Sequence, residues 1–231
     1  MALLPVSAQA AVLYNGFATS TPGNGTPQGW TLAGSSGTGT SNITSDRYLA
    51  ITAASTSVFT QFNTGSGITR AAGQGFKLTS TFSATSGTGQ FENTGFYFMN
   101  SSDGNTSGPR ILFNMGTALP GTLEFAGTTG NSNGSLADYA TLESQGAIYT
   151  LTLTGIFNAS NGMDLTATLT NSVNGSVVTS TASLSSVASG NNYFGIRAAS
   201  STGTNPSASA THRSDVLESI PEPSHTLMVA L

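Results

Sequence analysis

Residues 147–181 read AIYTLTLTGIFNASNGMDLTATLTNSVNGSVVTST, and the pattern in this stretch decides the fold. Apolar and polar residues alternate along two runs, which is typical of β-strands with one buried face and one solvated face. The apolar positions are Tyr149, Leu151, Leu153 and Phe157 in the first run and Met163, Leu165, Ala167 and Leu169 in the second. Asn161-Gly162 and Asn174-Gly175 stand at the two reversals, where both residue types tolerate positive φ. The stretch therefore predicts a three-stranded antiparallel meander whose apolar face needs a covering layer.

The rest of the chain shows the same pattern in shorter segments that are separated by turn residues. Residues 76–82 and 111–115 alternate in the same way, whereas residues 95–99 (GFYFM) are largely apolar on both faces and predict a central strand. Residues 127–137 are rich in Gly, Asn, Ser and Thr and predict a long loop. No segment predicts a helix. About a dozen short strands of this kind predict an all-β fold, a two-sheet antiparallel β-sandwich of the jelly-roll type.

Composition excludes several classes of function. The 231 residues include 6 Lys and Arg against 10 Asp and Glu, a net charge of −4, and no basic patch occurs, so nucleic acid is not an expected partner. The chain has no cysteine, which excludes disulfides and thiolate chemistry.

The N-terminus has features of a secretory signal. Ala8-Gln9-Ala10 has the small-x-small form that signal peptidase cleaves, and the residues before it are mostly apolar. We expect residues 1–10 to be the remnant of such a signal and residues 11–218 to form the β-sandwich domain. The alternative is that the first residues are a plain strand or a ragged terminus.

The C-terminal residues 219–231 read SIPEPSHTLMVAL. Pro221, Glu222 and Pro223 resemble the PEP-CTERM sorting signal of Gram-negative bacteria, which an exosortase processes during export. The resemblance implies a secreted or cell-surface protein with exosortase as a partner. In that family a transmembrane helix follows, which needs about 20 apolar residues. The apolar run here covers only residues 227–231, so we expect a truncated sorting tail and no membrane span in this chain.

A second, looser resemblance covers most of the chain. The order of its aromatic strands is similar to that of concanavalin A/laminin-G-like jelly rolls. The segments concerned are Gly29-Trp30-Thr31, Tyr48-Leu49, Phe96-Tyr97-Phe98, Tyr149 to Phe157 and Tyr193-Phe194-Gly195-Ile196. The resemblance implies a sandwich with a curved sheet, which some members use to bind sugars and some use to carry calcium. A fold of this kind does not determine function.

Sugar binding requires exposed aromatic residues beside polar groups, because a ring offers an apolar platform with a polar edge. Trp30 follows a Pro/Gly-rich loop, and Tyr193 and Arg197 lie on one predicted strand, so these three residues are the candidates. The alternative for Trp30 is a place in the core, and for Arg197 an ordinary surface charge.

Calcium is the one metal for which the sequence offers ligands, since hard cations prefer several oxygen atoms. Asp103 and Asn105 form an oxygen-rich turn, and Asp215 lies on the closing strand, where related sandwiches sometimes place a ligand. The alternative is an ordinary Asp-Gly turn.

No constellation of residues predicts catalysis. Glycoside hydrolases need two carboxylates that flank the scissile bond, but Glu92, Glu124 and Glu143 are isolated in the sequence. His212 and Asp215 are an odd number of residues apart, so on a regular strand they would point to opposite faces.

We therefore expect a non-enzymatic, exported cell-surface or extracellular-matrix protein that acts by adhesion or by association with exopolysaccharide. The alternatives are a lectin-like carbohydrate-binding module and a glycoside hydrolase-like enzyme on the same fold. Residues 10–13 could also complete the sheet of a neighbouring molecule, which would give self-association by strand pairing.

Overall fold

The computed structural model of the chain describes residues 9–36, 39–54, 56–87, 92–101, 108–115, 121–136, 139–200 and 207–221. These ranges contain sixteen strands and one helix. The first eight strands are β1 (Val12–Asn15), β2 (Thr31–Ser36), β3 (Thr40–Ile43), β4 (Leu49–Ala53), β5 (Ser57–Asn63), β6 (Gly75–Ser86), β7 (Glu92–Asn100) and β8 (Arg110–Met115). The others are β9 (Gly121–Ala126), β10 (Thr129–Ser132), β11 (Gly134–Leu136), β12 (Ile148–Phe157), β13 (Met163–Asn171), β14 (Val177–Leu184), β15 (Tyr193–Ser200) and β16 (Ala208–Ile220), with the helix α1 (Tyr139–Ser144) between β11 and β12.

The strands form two antiparallel sheets. The nine-stranded sheet has the order β10-β14-β13-β12-β6-β16-β4-β3, and β1 also pairs with β16. The seven-stranded sheet has the order β11-β9-β8-β7-β15-β5-β2. The predicted all-β, two-sheet antiparallel sandwich is therefore confirmed.

The predicted meander consists of β12, β13 and β14 and lies in the nine-stranded sheet. Its pairing continues without a register shift from Tyr149 opposite Asn171 to Phe157 opposite Met163. The turn between β12 and β13 contains Asn161 with a φ of 58°. The turn between β13 and β14 contains Gly175 with a φ of 70°. Both reversals thus use the positive φ that the Asn-Gly pairs predict.

Aromatic side chains join the two sheets across the core. Phe82 and Tyr149 come from the nine-stranded sheet, and Phe113 from the seven-stranded sheet. The ring centroids of Phe113 and Tyr149 are 4.8 Å apart, and those of Phe82 and Tyr149 are 5.8 Å apart. Phe76 meets Phe194 of the opposite sheet edge to face, with ring centroids 4.8 Å apart. Such pairs add specific geometry to the hydrophobic burial of the rings.

Strand β7 lies in the middle of the seven-stranded sheet, as its apolar sequence predicts. Phe96 and Phe98 belong to the core, whereas Tyr97 points to the other side of the sheet. Met99 has a φ of 50°, and the pairing of β7 with β15 shifts register at this point. The irregularity brings Met99 into the core next to Phe98, so the alternation of β7 ends there.

Two details of the predicted secondary structure are wrong. The predicted loop at residues 127–137 contains β10 and β11, and the helix α1 follows although no helix was expected. All four residues of β10 are exposed, so the sequence has no alternation there to reveal the strand. Helix α1 has six residues, of which Tyr139 and Leu142 are buried, and so short a helix hardly shows a helical period.

The two ends of the domain lie side by side. Strand β1 pairs with β16 of the same chain, so the segment predicted to complete a neighbour's sheet hydrogen-bonds within its own sheet. Strand β16 continues through Ile220, two residues beyond the predicted domain boundary, and Pro221 is half-exposed. Glu222 and Pro223 lie outside the described residues. No helix in the part of the chain that the structure describes has the length and hydropathy needed to cross a bilayer.

The inward position of Leu153 yields a first prediction. Leu153 is fully buried on β12, whereas Thr150 of the same strand is exposed. We expect Leu153→Ala to lower the free energy of unfolding by about 2–5 kcal/mol, because it removes transfer energy and leaves a cavity. The matched variant Thr150→Ala should stay within about 0.5 kcal/mol of the wild type. Chemical denaturation measures both, and equal effects of the two variants would contradict the orientation of β12.

Tyr149 yields a prediction at alkaline pH. Burial, with the nearby Glu143 carboxylate, raises the pKa of Tyr149 to about 12 from its usual 10. The folded state therefore holds this proton more tightly than the unfolded state. The contribution of this proton to the free energy of unfolding is fully present below about pH 10 and is lost as the pH rises towards about 12. Between about pH 10 and about pH 12 the free energy of unfolding should fall less steeply in Tyr149→Phe than in the wild type. Equal slopes for the two proteins would contradict the raised pKa of Tyr149.

Candidate functional site

The outward-pointing side of the seven-stranded sheet, called here the outer face, carries the candidate site. Alternate residues of each strand point away from the core, and four apolar ones are buried without belonging to the core cluster. These are Phe59, Tyr97, Leu112 and Ala199. Cross-strand pairing arranges the outer face in three rows. The rows are Glu124-Leu112-Gly95-Arg197-Phe59, Ala126-Arg110-Tyr97-Gly195-Gln61 and Thr122-Asn114-Asn93-Ala199-Ser57.

Two arginines and a tyrosine occupy the middle of the outer face. Arg197 of β15 donates a hydrogen bond from Nη1 to the Tyr97 hydroxyl over 3.3 Å, and its guanidinium carbon lies 5.7 Å from the centre of the Tyr97 ring. Arg110 of β8 lies directly opposite Tyr97 in the register and donates to the Gly108 carbonyl at 3.0 Å. Both arginine side chains are half-exposed.

The charge of Arg197 lies in an unfavourable environment. Burial lowers the pKa of Arg197, and the positive charge of Arg110 lowers it further, while Tyr97 acts in the opposite direction. Burial and a like charge both disfavour the protonated form of a base. Since an arginine keeps its proton in proteins, the two positive charges remain close together at a free-energy cost.

Amides and a carboxylate lie beside the arginines. The Asn114 amide donates to Thr122 Oγ1 at 3.1 Å and to Glu124 Oε2 at 2.7 Å. Asn93 lies directly opposite Asn114 on the neighbouring strand. These side chains present donors and acceptors of the kind that hold sugar hydroxyls. An amide both donates and accepts hydrogen bonds, and each carboxylate oxygen has two lone pairs that accept them.

Three polar atoms of the outer face have no hydrogen-bond partner among the described residues. They are Asn93 Oδ1, Arg110 Nε and Arg197 Nε, and each is shielded from solvent. Native structures contain few buried polar atoms without hydrogen bonds, so a group of them on one face needs a physical explanation. A polar ligand on the outer face would satisfy all three once the side chains that shield them move aside.

The structure separates the three residues predicted to bind sugar. Arg197 and Tyr193 both point to the outer face of β15, and Tyr193 is half-exposed at the end of that strand. Trp30 is 8% exposed and lies in the core, where its ring packs against Tyr14 at 5.0 Å and Phe62 at 4.8 Å. The predicted Trp30 platform at the rim is therefore not formed, because the rings of Tyr14, Phe17 and Phe62 surround the indole.

The structure describes one of the three predicted calcium ligands, Asp215. Asp103 and Asn105 lie outside the described residues. Asp215 is buried in the core at 1% exposure, with the His212 ring as its ionisable neighbour. No group of three or more His, Asp or Glu side chains that could hold a metal ion occurs among the described residues.

The expected orientation of His212 and Asp215 is wrong. The pairing of β16 with β6 shifts register between His212 and Ser214, and this irregularity brings both side chains into the core. His212 Nδ1 lies 3.6 Å from Asp215 Oδ1 and 3.3 Å from Ser80 Oγ. A Ser-His-Asp relay needs the serine and the carboxylate on different ring nitrogens. Here both lie at Nδ1 and all three residues are buried, so the cluster is a structural one.

Sequence reasoning missed most of the outer face. The sequence pointed to Tyr193 and Arg197 and left Glu124 as an isolated carboxylate, but it did not single out Arg110, Asn93 or Asn114. A signal was present in β8, where Arg110, Leu112 and Asn114 share one face opposite the apolar one. The positions of the neighbouring strands, which the sequence does not give, turn these separate residues into one surface.

Comparison with solved structures relates the fold to carbohydrate-active proteins. Arcelin-5, a lectin-like defense protein from Phaseolus vulgaris, has a TM-score of 0.56 and 14% identity over 92% of this chain and 99% of its own. Lectin UEA-II complexed with galactose has a TM-score of 0.53 and 10% identity over 92% and 99%. A carbohydrate esterase from the Shiga toxin-encoding bacteriophage phi24B has a TM-score of 0.55 and 14% identity over 92% and 100%.

The chain thus has the concanavalin A-like sandwich fold of the legume lectins. An alginate lyase shares this fold as well. The fold alone therefore does not separate a lectin from an enzyme. No protein-family profile and no curated protein sequence matches the chain.

Proposed function

We propose that the protein is exported and non-enzymatic, and that it associates with polysaccharide through the outer face of its seven-stranded sheet. The observation that carries the proposal is the group of three unpartnered polar atoms on that face, beside the hydrogen-bonded side chains of Asn114, Thr122 and Glu124. Sugar hydroxyls both donate and accept, so a glycan can supply partners to amides and guanidinium groups together.

The proposed location rests on the two ends of the chain. The small-x-small site at residues 8–10 and the Pro221-Glu222-Pro223 motif both resemble export signals. They support a secreted or cell-surface protein of a Gram-negative bacterium that an exosortase sorts. In such a place adhesion and association with exopolysaccharide are the natural uses of a sugar-binding face.

The arrangement of carboxylates supports a role without catalysis. Glu124 is the only carboxylate that the described strands place on the outer face, and it accepts a hydrogen bond from Asn114. Hydrolysis of a glycosidic bond uses two carboxylates across the scissile bond. A lectin-like module that binds one defined sugar is the finer alternative, and the lectin UEA-II, solved with galactose, supports it by fold.

A glycan-array screen of the full chain, with and without calcium, tests the proposal. We expect reproducible binding to at least one polysaccharide and an unchanged polymer length after incubation. Asn114→Ala should weaken binding about 2- to 10-fold, because it removes a hydrogen-bonding group worth about 0.5–1.5 kcal/mol. Thr166→Ala, on the outward side of the other sheet, is the matched control and should bind like the wild type.

Three results would overturn the proposal. They are a lack of binding to every glycan, equal binding by wild type and Asn114→Ala, and shortening of the polymer chains. The last would identify an enzyme on the same scaffold.

A further inference from the structure

Two cations of this acidic chain lie at the candidate site. The protein has six Lys and Arg residues in total and a net charge of −4. Two of the six, Arg110 and Arg197, flank Tyr97 on the outer face. The face therefore differs in sign from the protein as a whole.

The other cations are placed differently. Arg47 and Arg70 donate to backbone carbonyls, such as those of Ala18 and Ala188, and so hold loops in place. Arg213 lies over the Tyr48 ring at 5.6 Å. Lys77 is exposed on the nine-stranded sheet. Arg110 and Arg197 differ from these four in that the positive charge of Arg110 lowers the pKa of Arg197.

Neither arginine of this pair is neutralised by the part of the chain that the structure describes. The single close contact between opposite ionisable groups there joins His212 to Asp215 in the core. The Glu124 carboxylate on the same face accepts a hydrogen bond from Asn114 and forms no ion pair with a described arginine. Two half-buried like charges that form no ion pair destabilise each other, and an anion that bridges them offsets this cost.

The geometry of the groups indicates which anion fits. A guanidinium presents a planar fork of N–H donors that matches a carboxylate with two parallel hydrogen bonds. Strands β8 and β15 lie on either side of β7, so the backbones that carry Arg110 and Arg197 are about 10 Å apart. A polysaccharide that crosses the strands at Tyr97 can therefore contact both arginines, and the neighbouring row of amides can bind its hydroxyls.

We propose that the outer face selects acidic polysaccharides, with Arg110 and Arg197 binding the carboxylates of uronic-acid residues. This inference rests on the proposed function, since it names the class of glycan that the same face binds. Arg197 is held by its hydrogen bond to the Tyr97 hydroxyl, which leaves its Nε–H without a protein partner among the described residues. Arg110 likewise uses Nη1 for the Gly108 carbonyl and keeps its Nε–H unpartnered.

The test compares two polymers that differ only in charge. Polygalacturonate carries a carboxylate on each sugar, and its fully methyl-esterified form has the same backbone without these charges. We expect the protein to bind polygalacturonate at least tenfold more tightly than the ester. The preference should shrink as the salt concentration rises, because salt screens partly exposed charges. Isothermal titration calorimetry or affinity electrophoresis measures both ligands.

Variants assign the preference to the two arginines. R110Q and R197Q should each weaken polygalacturonate binding about tenfold, and the double variant should bind the acid and the ester equally. Arg197→Lys keeps the positive charge but lacks the planar guanidinium fork. Its affinity for polygalacturonate should therefore lie between those of R197Q and the wild type. K77Q removes a cation from the other sheet and should bind like the wild type. Thermal melting of each variant separates loss of binding from loss of folding.

The outcomes distinguish this inference from the proposed function. If the wild type binds acid and ester equally, or if K77Q weakens binding as much as R197Q in a folded protein, the acidic selectivity is refuted and glycan binding stands. If the wild type binds neither these polymers nor any glycan on the array, both proposals fail together.

Discussion

Contact between the inner faces of the two sheets is the constraint on which the rest of this structure depends. The rings of Phe82, Tyr149 and Phe113 meet across the sandwich, and each comes from a strand that buries alternate residues. Burying these rings requires a fixed register, because a slip by one residue would turn every apolar side chain outwards. The same register therefore decides which residues the sheets display to their surroundings.

The two outward sides have become chemically different surfaces under this one constraint. On the nine-stranded sheet threonines lie opposite threonines, at Thr150 and Thr170 and at Thr152 and Thr168, in the regular pattern of a solvated face. On the seven-stranded sheet the corresponding positions hold Arg110, Tyr97 and Arg197. Function is proposed for the second surface because charges, rings and unpartnered polar atoms coincide there.

The sequence predicted the architecture well because alternation is a local property. Residues 147–181 reveal their strands and turns without any knowledge of their neighbours, and the class of fold follows from many such segments. The candidate site was predicted much less well, because it consists of residues from β7, β8, β9 and β15 that meet only through strand order. Two further features could not be predicted locally. The register shift near His212 places His212 and Asp215 on the same side of β16. Aromatic neighbours bury Trp30, which was expected at the surface.

Engineered cysteine pairs test the register of β12 and β13 directly, since the chain has no cysteine of its own. Thr152 and Thr168 lie opposite each other on the outward side, whereas Ala167, next to Thr168, points into the core. Directly opposed residues on antiparallel strands have the Cα separation that a disulfide needs. Upon oxidation of the folded protein, the double variant Thr152→Cys/Thr168→Cys should form a disulfide, and Thr152→Cys/Ala167→Cys should keep two free thiols. The reverse result would show that β12 and β13 pair in another register, and the arrangement of core and surface described above would be wrong.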